Sequence, residues 1–225
     1  SRHLGVSSGQ VTLGNGSNDV LEILVRCFVE PGEGVVVSEH AFAVYTLAAQ
    51  SVNAAISTVP ACSYGHDLEA MAQAVDETTK LIFIANPNNP TGTCVGYEEL
   101  LGFLERLPEN AITVLDEAYF EYVDDRDYPK RVELLERFPG LVVTRTFSKV
   151  YGLAGLRIGY AIAAEAITET LNRVRQPFNV NSLALAAAET ALSDVQFVRV
   201  SREENIKGMS QLCAGFEALE LGWIP

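Results

Sequence analysis

The pattern that most restricts the fold of this chain is an alternation of two periodicities. Short apolar runs rich in β-branched residues lie at Gly34–Ser38, Ala54–Val59, Lys80–Ala85, Ala111–Leu115, Leu141–Arg145 and Arg157–Ile162. Between them come longer stretches of helical spacing near Asn18–Val29, Phe42–Gln50, Asp67–Val75, Tyr97–Leu107 and Pro129–Phe138. A strand that is apolar along its whole length has to be covered on both faces, so the alternation predicts an α/β unit built on a parallel or mostly parallel sheet. After the last of these runs the pattern is wholly helical: Ala164–Arg175, Ser182–Ser193, and a long run from Asp194 towards Leu219. Ser193 followed three residues later by Gln196 reads as a capping box opening that last helix. Ser1–Leu13 opens in mid-pattern and the chain stops at Gly222-Trp223-Ile224-Pro225, where an apolar strand could begin. Both ends therefore read as cut.

Charge and cysteine usage narrow the function classes. A formal net charge of −13 argues against a nucleic-acid backbone as partner, which needs clustered Lys and Arg. It leaves room for a small phosphate-bearing molecule held by a few local donors. Cys27, Cys62, Cys94 and Cys213 are widely spaced with no C-x-x-C pair, as expected of reduced thiols in a cytoplasmic protein rather than a zinc site or disulfide framework. No run approaches the roughly 20 apolar residues of a membrane span. No basic-then-apolar leader opens the chain.

Four segments carry chemistry. Gly14-Asn15-Gly16-Ser17-Asn18-Asp19 precedes an apolar helical run. Its glycines permit a tight turn, Ser17 can cap the helix, and the first free N–H groups form an anion site. The segment matches neither nucleotide-loop fingerprint, and taken alone it could be an ordinary cap. Asn86-Pro87-Asn88-Asn89-Pro90-Thr91-Gly92 follows a strand at the end where open α/β sheets place ligands, and its prolines aim the amides of Asn88 and Asn89. Asp116-Glu117-Ala118-Tyr119 leaves the next strand. An aspartate there needs a cationic partner, such as a protonated ring nitrogen, to offset desolvation; a divalent metal would serve as well.

The fourth segment decides between those partners. Thr144-Arg145-Thr146-Phe147-Ser148-Lys149 ends a strand in hydroxyl residues and a lysine, and a glycine-rich connection leads on to Arg157. Thr146, Ser148 and Arg157 can converge on a phosphate, Arg157 as a bidentate donor. Lys149 can then condense with an aldehyde. One ligand with a phosphate, an aldehyde, a phenolic oxygen and a ring nitrogen accounts for all four segments: pyridoxal 5'-phosphate, with no metal required.

The ordered set GNGSND, NPNNPTG, DEAY and TFSKVYGLAGLRIG resembles the fold-type-I pyridoxal-phosphate aminotransferases over essentially the whole chain. Together with SEHAFAVY and RQPFNVNSLA it is similar, more narrowly, to the histidinol-phosphate aminotransferases. The resemblance implies a three-layer α/β/α large domain with a mostly parallel, roughly seven-stranded sheet. That domain would cover residues 1–190, with residues 191–225 a long helix leading towards a C-terminal small domain. It implies that Lys149 is the Schiff-base lysine and proton shuttle, that Asp116 pairs with the pyridine nitrogen, and that Asn89 and Tyr119 bond the phenolic oxygen. Phe42 would stack on the ring where the family often has Tyr. Gly16, Ser17, Asn18, Thr146, Ser148 and Arg157 would hold the phosphate.

It implies further a cytoplasmic homodimer, with the Asn179–Ser182 region beside the partner subunit. The reaction would be amino transfer between histidinol phosphate and 2-oxoglutarate in histidine biosynthesis. An aromatic or aspartate aminotransferase, a threonine-phosphate decarboxylase and a catalytically incomplete cofactor-binding fragment share the same cofactor residues.

Overall fold

The computed structural model describes residues 1–123 and 131–224. Seven strands form one sheet: β1 (Val11–Gly14), β2 (Gly34–Ser38), β3 (Ala55–Val59), β4 (Thr79–Ala85), β5 (Ile112–Asp116), β6 (Leu141–Thr146) and β7 (Gly159–Ala163). Their order across the sheet is β1-β7-β6-β5-β4-β2-β3. Strands β6, β5, β4, β2 and β3 are mutually parallel, whereas β7 runs antiparallel to both β6 and β1. All six apolar runs are strands, with ends shifted by up to two residues. The seventh strand, β1, escapes pattern reading because its four residues, Val-Thr-Leu-Gly, are too few to show a period.

The helices α1 (Ser17–Phe28), α2 (Ala43–Ser51), α3 (Leu68–Gln73), α4 (Tyr97–Leu104), α5 (Arg131–Arg137), α6 (Glu165–Val174), α7 (Ser182–Ser193) and α8 (Val195–Ala218) complete the three layers. Pro129 and Lys130, the expected start of the helix containing α5, lie outside the described residues. The two-sided burial foreseen from the strands is visible in β4, where successive residues point to opposite layers. Leu81 and Phe83 pack under α1, α2 and α6, while Ile82 and Ile84 pack under α3, α4, α5 and α7. Val20, Leu21, Ile23, Leu24 and Val25 of α1 are all buried, so this helix sits flush against the sheet.

Two expected helix starts are corrected. Gly16, at φ 82, is the residue before α1, and Ser17 is the first helical residue with no side-chain cap bond. Ser17 therefore contributes its backbone N–H to the loop and its side chain is buried. The opening of α8 is capped by Asp194, whose carboxylate accepts from the Phe197 N–H at 2.9 Å. Ser193 instead ends α7, since the ionised acceptor one residue later takes the orphan donor. No residue of α8 is buried. Among the described residues no helix is long and apolar enough to cross a membrane.

Candidate cofactor site at the strand ends

Parallel strands bring their C-terminal ends to one edge of the sheet, and here that edge meets the N-terminus of α1. A cavity of about 190 Å³ opens there. Its walls come from α1 (Ser17, Asn18), the start of α2 (Phe42, Tyr45), the β4 exit (Ala85, Pro87, Asn89), the β5 exit (Asp116, Ala118, Tyr119) and the β6 exit (Thr146, Ser148, Lys149, Arg157). Every expected site residue lines it except Gly16. That glycine lies just behind the rim, where a Cβ would run into the Arg157 guanidinium.

At the floor stands Asp116, 4% exposed. Its Oδ2 accepts from the Tyr45 hydroxyl at 2.7 Å and its Oδ1 from the Thr144 hydroxyl at 3.0 Å. Burial raises the carboxyl above its ordinary range, against the lowering effect of the Tyr45, Thr144 and Ala118 N–H donors. A carboxylate desolvated this far, with neutral donors around it, suits a cationic partner in the cavity. Tyr45 is itself held flat against Phe83, ring centroids 4.7 Å apart. Burial and the nearby Asp116 push its phenol pKa well up, so it stays protonated and donating.

Lys149, on the same cavity, is exposed and sets its ammonium 4.9 Å from the centre of the Tyr119 ring. The third wall is cationic. Arg157, with a left-handed backbone at φ 58, donates from Nη1 to the neutral oxygens Ser148 Oγ (3.3 Å) and Ala154 O (3.2 Å). Thr146 Oγ1 accepts from the Ser148 N–H at 3.1 Å, which turns the chain towards Lys149. Gly159 lets β7 pass directly behind this wall: a Cβ there would lie 2.7 Å from the Gly16 carbonyl carbon and 2.9 Å from Arg145 O.

The Asn-Pro loop behaves only in part as expected. Asn88 does not line the cavity; its Nδ2 donates to His40 O and Thr91 Oγ1, both at 2.8 Å, and so holds the loop. Asn86 likewise ties the loop's two ends, donating to Val95 O and accepting from the Val95 N–H, each at 2.9 Å. Asn89 alone of the three reaches the cavity wall. Sequence reading missed Tyr45 and Thr144, the partners of Asp116. It also missed His66, whose Nε2 meets the Ala85 carbonyl at 2.9 Å and which burial holds below the usual histidine range.

The model of the aminotransferase class I and II family matches residues 3–225. This chain belongs to that family. Histidinol-phosphate aminotransferase 2 of Pseudomonas fluorescens is 56% identical over 221 residues, 98% of this chain and 60% of that protein. The chain thus spans about 60% of the length of the curated relatives it matches. A histidinol-phosphate aminotransferase from Sinorhizobium meliloti, solved in complex with pyridoxal-5'-phosphate, superposes with a TM-score of 0.85. It is 35% identical, and the match covers 89% of this chain and 55% of that one. A putative histidinol-phosphate aminotransferase from Erwinia carotovora shares the fold over the whole of this chain and 66% of its own, with a TM-score of 0.94 at 24% identity.

Arg157, the buried Asp116 and the exposed Lys149 line a single cavity at the strand ends.

Proposed function

We propose that this chain is the pyridoxal-phosphate-binding core of an aminotransferase that moves an amino group between histidinol phosphate and 2-oxoglutarate. The observation that carries the reading is that Lys149, Asp116 and Arg157 line one cavity, with Gly16 packed against the Arg157 guanidinium behind it. The relatives' names supply the substrate pair, and the Sinorhizobium enzyme's complex supplies the cofactor by similarity.

The residues fit the group. The N–H groups of Ser17 and Asn18, with Thr146, Ser148 and Arg157, would hold the phosphate by charge-assisted bonds. Asp116 would keep a ring nitrogen protonated, and the buried, hydroxyl-braced carboxylate is suited to that cation. Asn89 and Tyr119 would bond the phenolic oxygen, and Phe42 would cover the ring face. When bound, pyridoxal phosphate supplies an aldehyde carbon that condenses with amines and a ring that draws electrons from the bond being broken. Lys149 Nζ would be the amine that condenses with that aldehyde and the atom that holds the transferred proton.

In this reading residues 1–190 form the cofactor-binding unit, α8 stands outside it, and the enzyme works in the cytoplasm as a homodimer. The test is a half-reaction series on the cofactor-loaded protein. Histidinol phosphate is expected to bleach the long-wavelength absorbance of the Lys149-bound cofactor faster than aspartate, phenylalanine or threonine phosphate does. Faster bleaching by any of those three would overturn the substrate assignment.

A further inference from the structure

One polar chain outside the cavity ends on the glycine loop that forms the cavity's anion cradle. It begins at Arg175, the residue just after α6, whose Nη1 donates to Asn179 Oδ1 at 3.0 Å and whose Nε donates to Asn172 Oδ1 at 2.9 Å. The Asn179 amide then donates twice, to Leu13 O at 3.0 Å and to Asp19 Oδ2 at 2.9 Å. The same Asp19 oxygen accepts from the backbone N–H of Asn15 at 2.8 Å. Leu13 is the penultimate residue of β1, and Asn15 and Asp19 bracket Gly16, Ser17 and Asn18.

This one side chain therefore grips the loop on both flanks, from 160 residues away in sequence. The backbone before it is itself unusual. Phe178 adopts φ 59, a left-handed conformation that a bulky residue holds only where its surroundings impose it, and it is 98% exposed. Packing of Phe178 within this chain is not what imposes it. The fixed points next to it are the hydrogen bonds of Asn179.

We infer that Asn179 is a positioning residue for phosphate binding, acting through Asp19 and the Leu13 carbonyl to set the direction of the N–H groups at the start of α1. The inference rests on the reading that the cavity takes pyridoxal phosphate. N–H groups at a helix start bind an anion only when they converge, and a loop rich in glycine does not hold one conformation by itself. Asn179 supplies that constraint without touching the cavity.

The test compares two ligands that differ only in the phosphate. The parent chain and the variants Asn179→Ala and Asn179→Asp are titrated with pyridoxal 5'-phosphate and with pyridoxal, following absorbance, and each is melted by circular dichroism. Asn179→Ala is expected to weaken pyridoxal phosphate about tenfold while changing pyridoxal by less than about twofold. Asn179→Asp, which sets a second carboxylate against Asp19, is expected to weaken the phosphate ester at least as much. Equal losses for both ligands, or no loss for the phosphate ester in variants that melt cooperatively, overturn the inference and leave the cofactor reading standing. Failure of the parent chain to bind pyridoxal phosphate at all overturns the cofactor reading and this inference with it.

Discussion

Asp116, Glu117, Thr144, Arg145 and Thr146 are polar residues at the ends of β5 and β6, and all are buried. Ile206, Met209 and Leu212 are apolar residues of α8, and they are 57%, 50% and 56% exposed. The two regions invert the usual distribution for different reasons. At the strand ends, buried polar residues persist because each makes at least one hydrogen bond. Arg145 Nε donates to Glu117 Oε2 at 2.8 Å, its guanidinium lies 3.6 Å from the centre of the Phe120 ring, and both hydroxyl donors of Asp116 are in place. Such a network is rigid because losing any member leaves a desolvated charge. Along α8 no residue is fully buried, and its firmest tie to the rest of the chain is the Arg202 guanidinium donating to Val123 O at 3.2 Å, so little stability depends on its exposed apolar side chains. The chain concentrates its buried polar contacts where the cavity is and leaves most of the long helix open to solvent.

The contrast is sharpest for Lys149→Ala. Transamination is expected to fall at least about a thousandfold, and borohydride is expected to fix no cofactor. Because the side chain is exposed, unfolding free energy should move by less than about 0.5 kcal/mol. Mass mapping that still found covalent cofactor on the variant would break the assignment of this wall.

Arg145→Ala probes the network instead. It leaves the Glu117 carboxylate buried without its cation, and urea unfolding should show a loss of about 3–5 kcal/mol. A loss under about 1 kcal/mol would put the strand ends on the same footing as α8.

A smaller effect is expected for Tyr45→Phe, which deletes one donor to Asp116 and should cost about 1–3 kcal/mol in the same measurement. Asp116 also yields a pH signature. Its carboxyl is raised by burial, so the folded state binds the proton more tightly than the unfolded state does. Its contribution to stability is therefore full below the unfolded carboxylate range and is lost as pH rises through the raised value. Ligand-free protein should lose stability from about pH 4 upward through this group, and Asp116→Asn should flatten that slope. At the other extreme, Ile206→Ser on α8 should shift the unfolding midpoint by less than about 0.5 kcal/mol in equivalent stability.

Much of this was legible without coordinates. The continuous apolar character of Leu81–Ala85 specified a strand buried on both faces, and the motif order placed Lys149, Asp116, Asn89 and Arg157 at strand ends. Such features are local, because periodicity and turn chemistry are written in adjacent residues. Illegible parts were those where neighbouring candidates compete or a period is too short. Asp194 outcompeted the expected cap at Ser193, Asn88 turned inward while Asn89 faced the cavity, and four-residue β1 gave no pattern.

The sequence by itself determined the layer architecture, which side chains stand at the strand ends, and the family, since each follows from patterns within a few residues or from motifs in a given order. Only the tertiary structure decided which distant groups meet. Tyr45 reaches Asp116 across 71 residues, and Asn179 reaches Asp19 across 160. Those pairings depend on strand order, register and helix placement, which the packing of the whole sheet selects and no local stretch of sequence encodes.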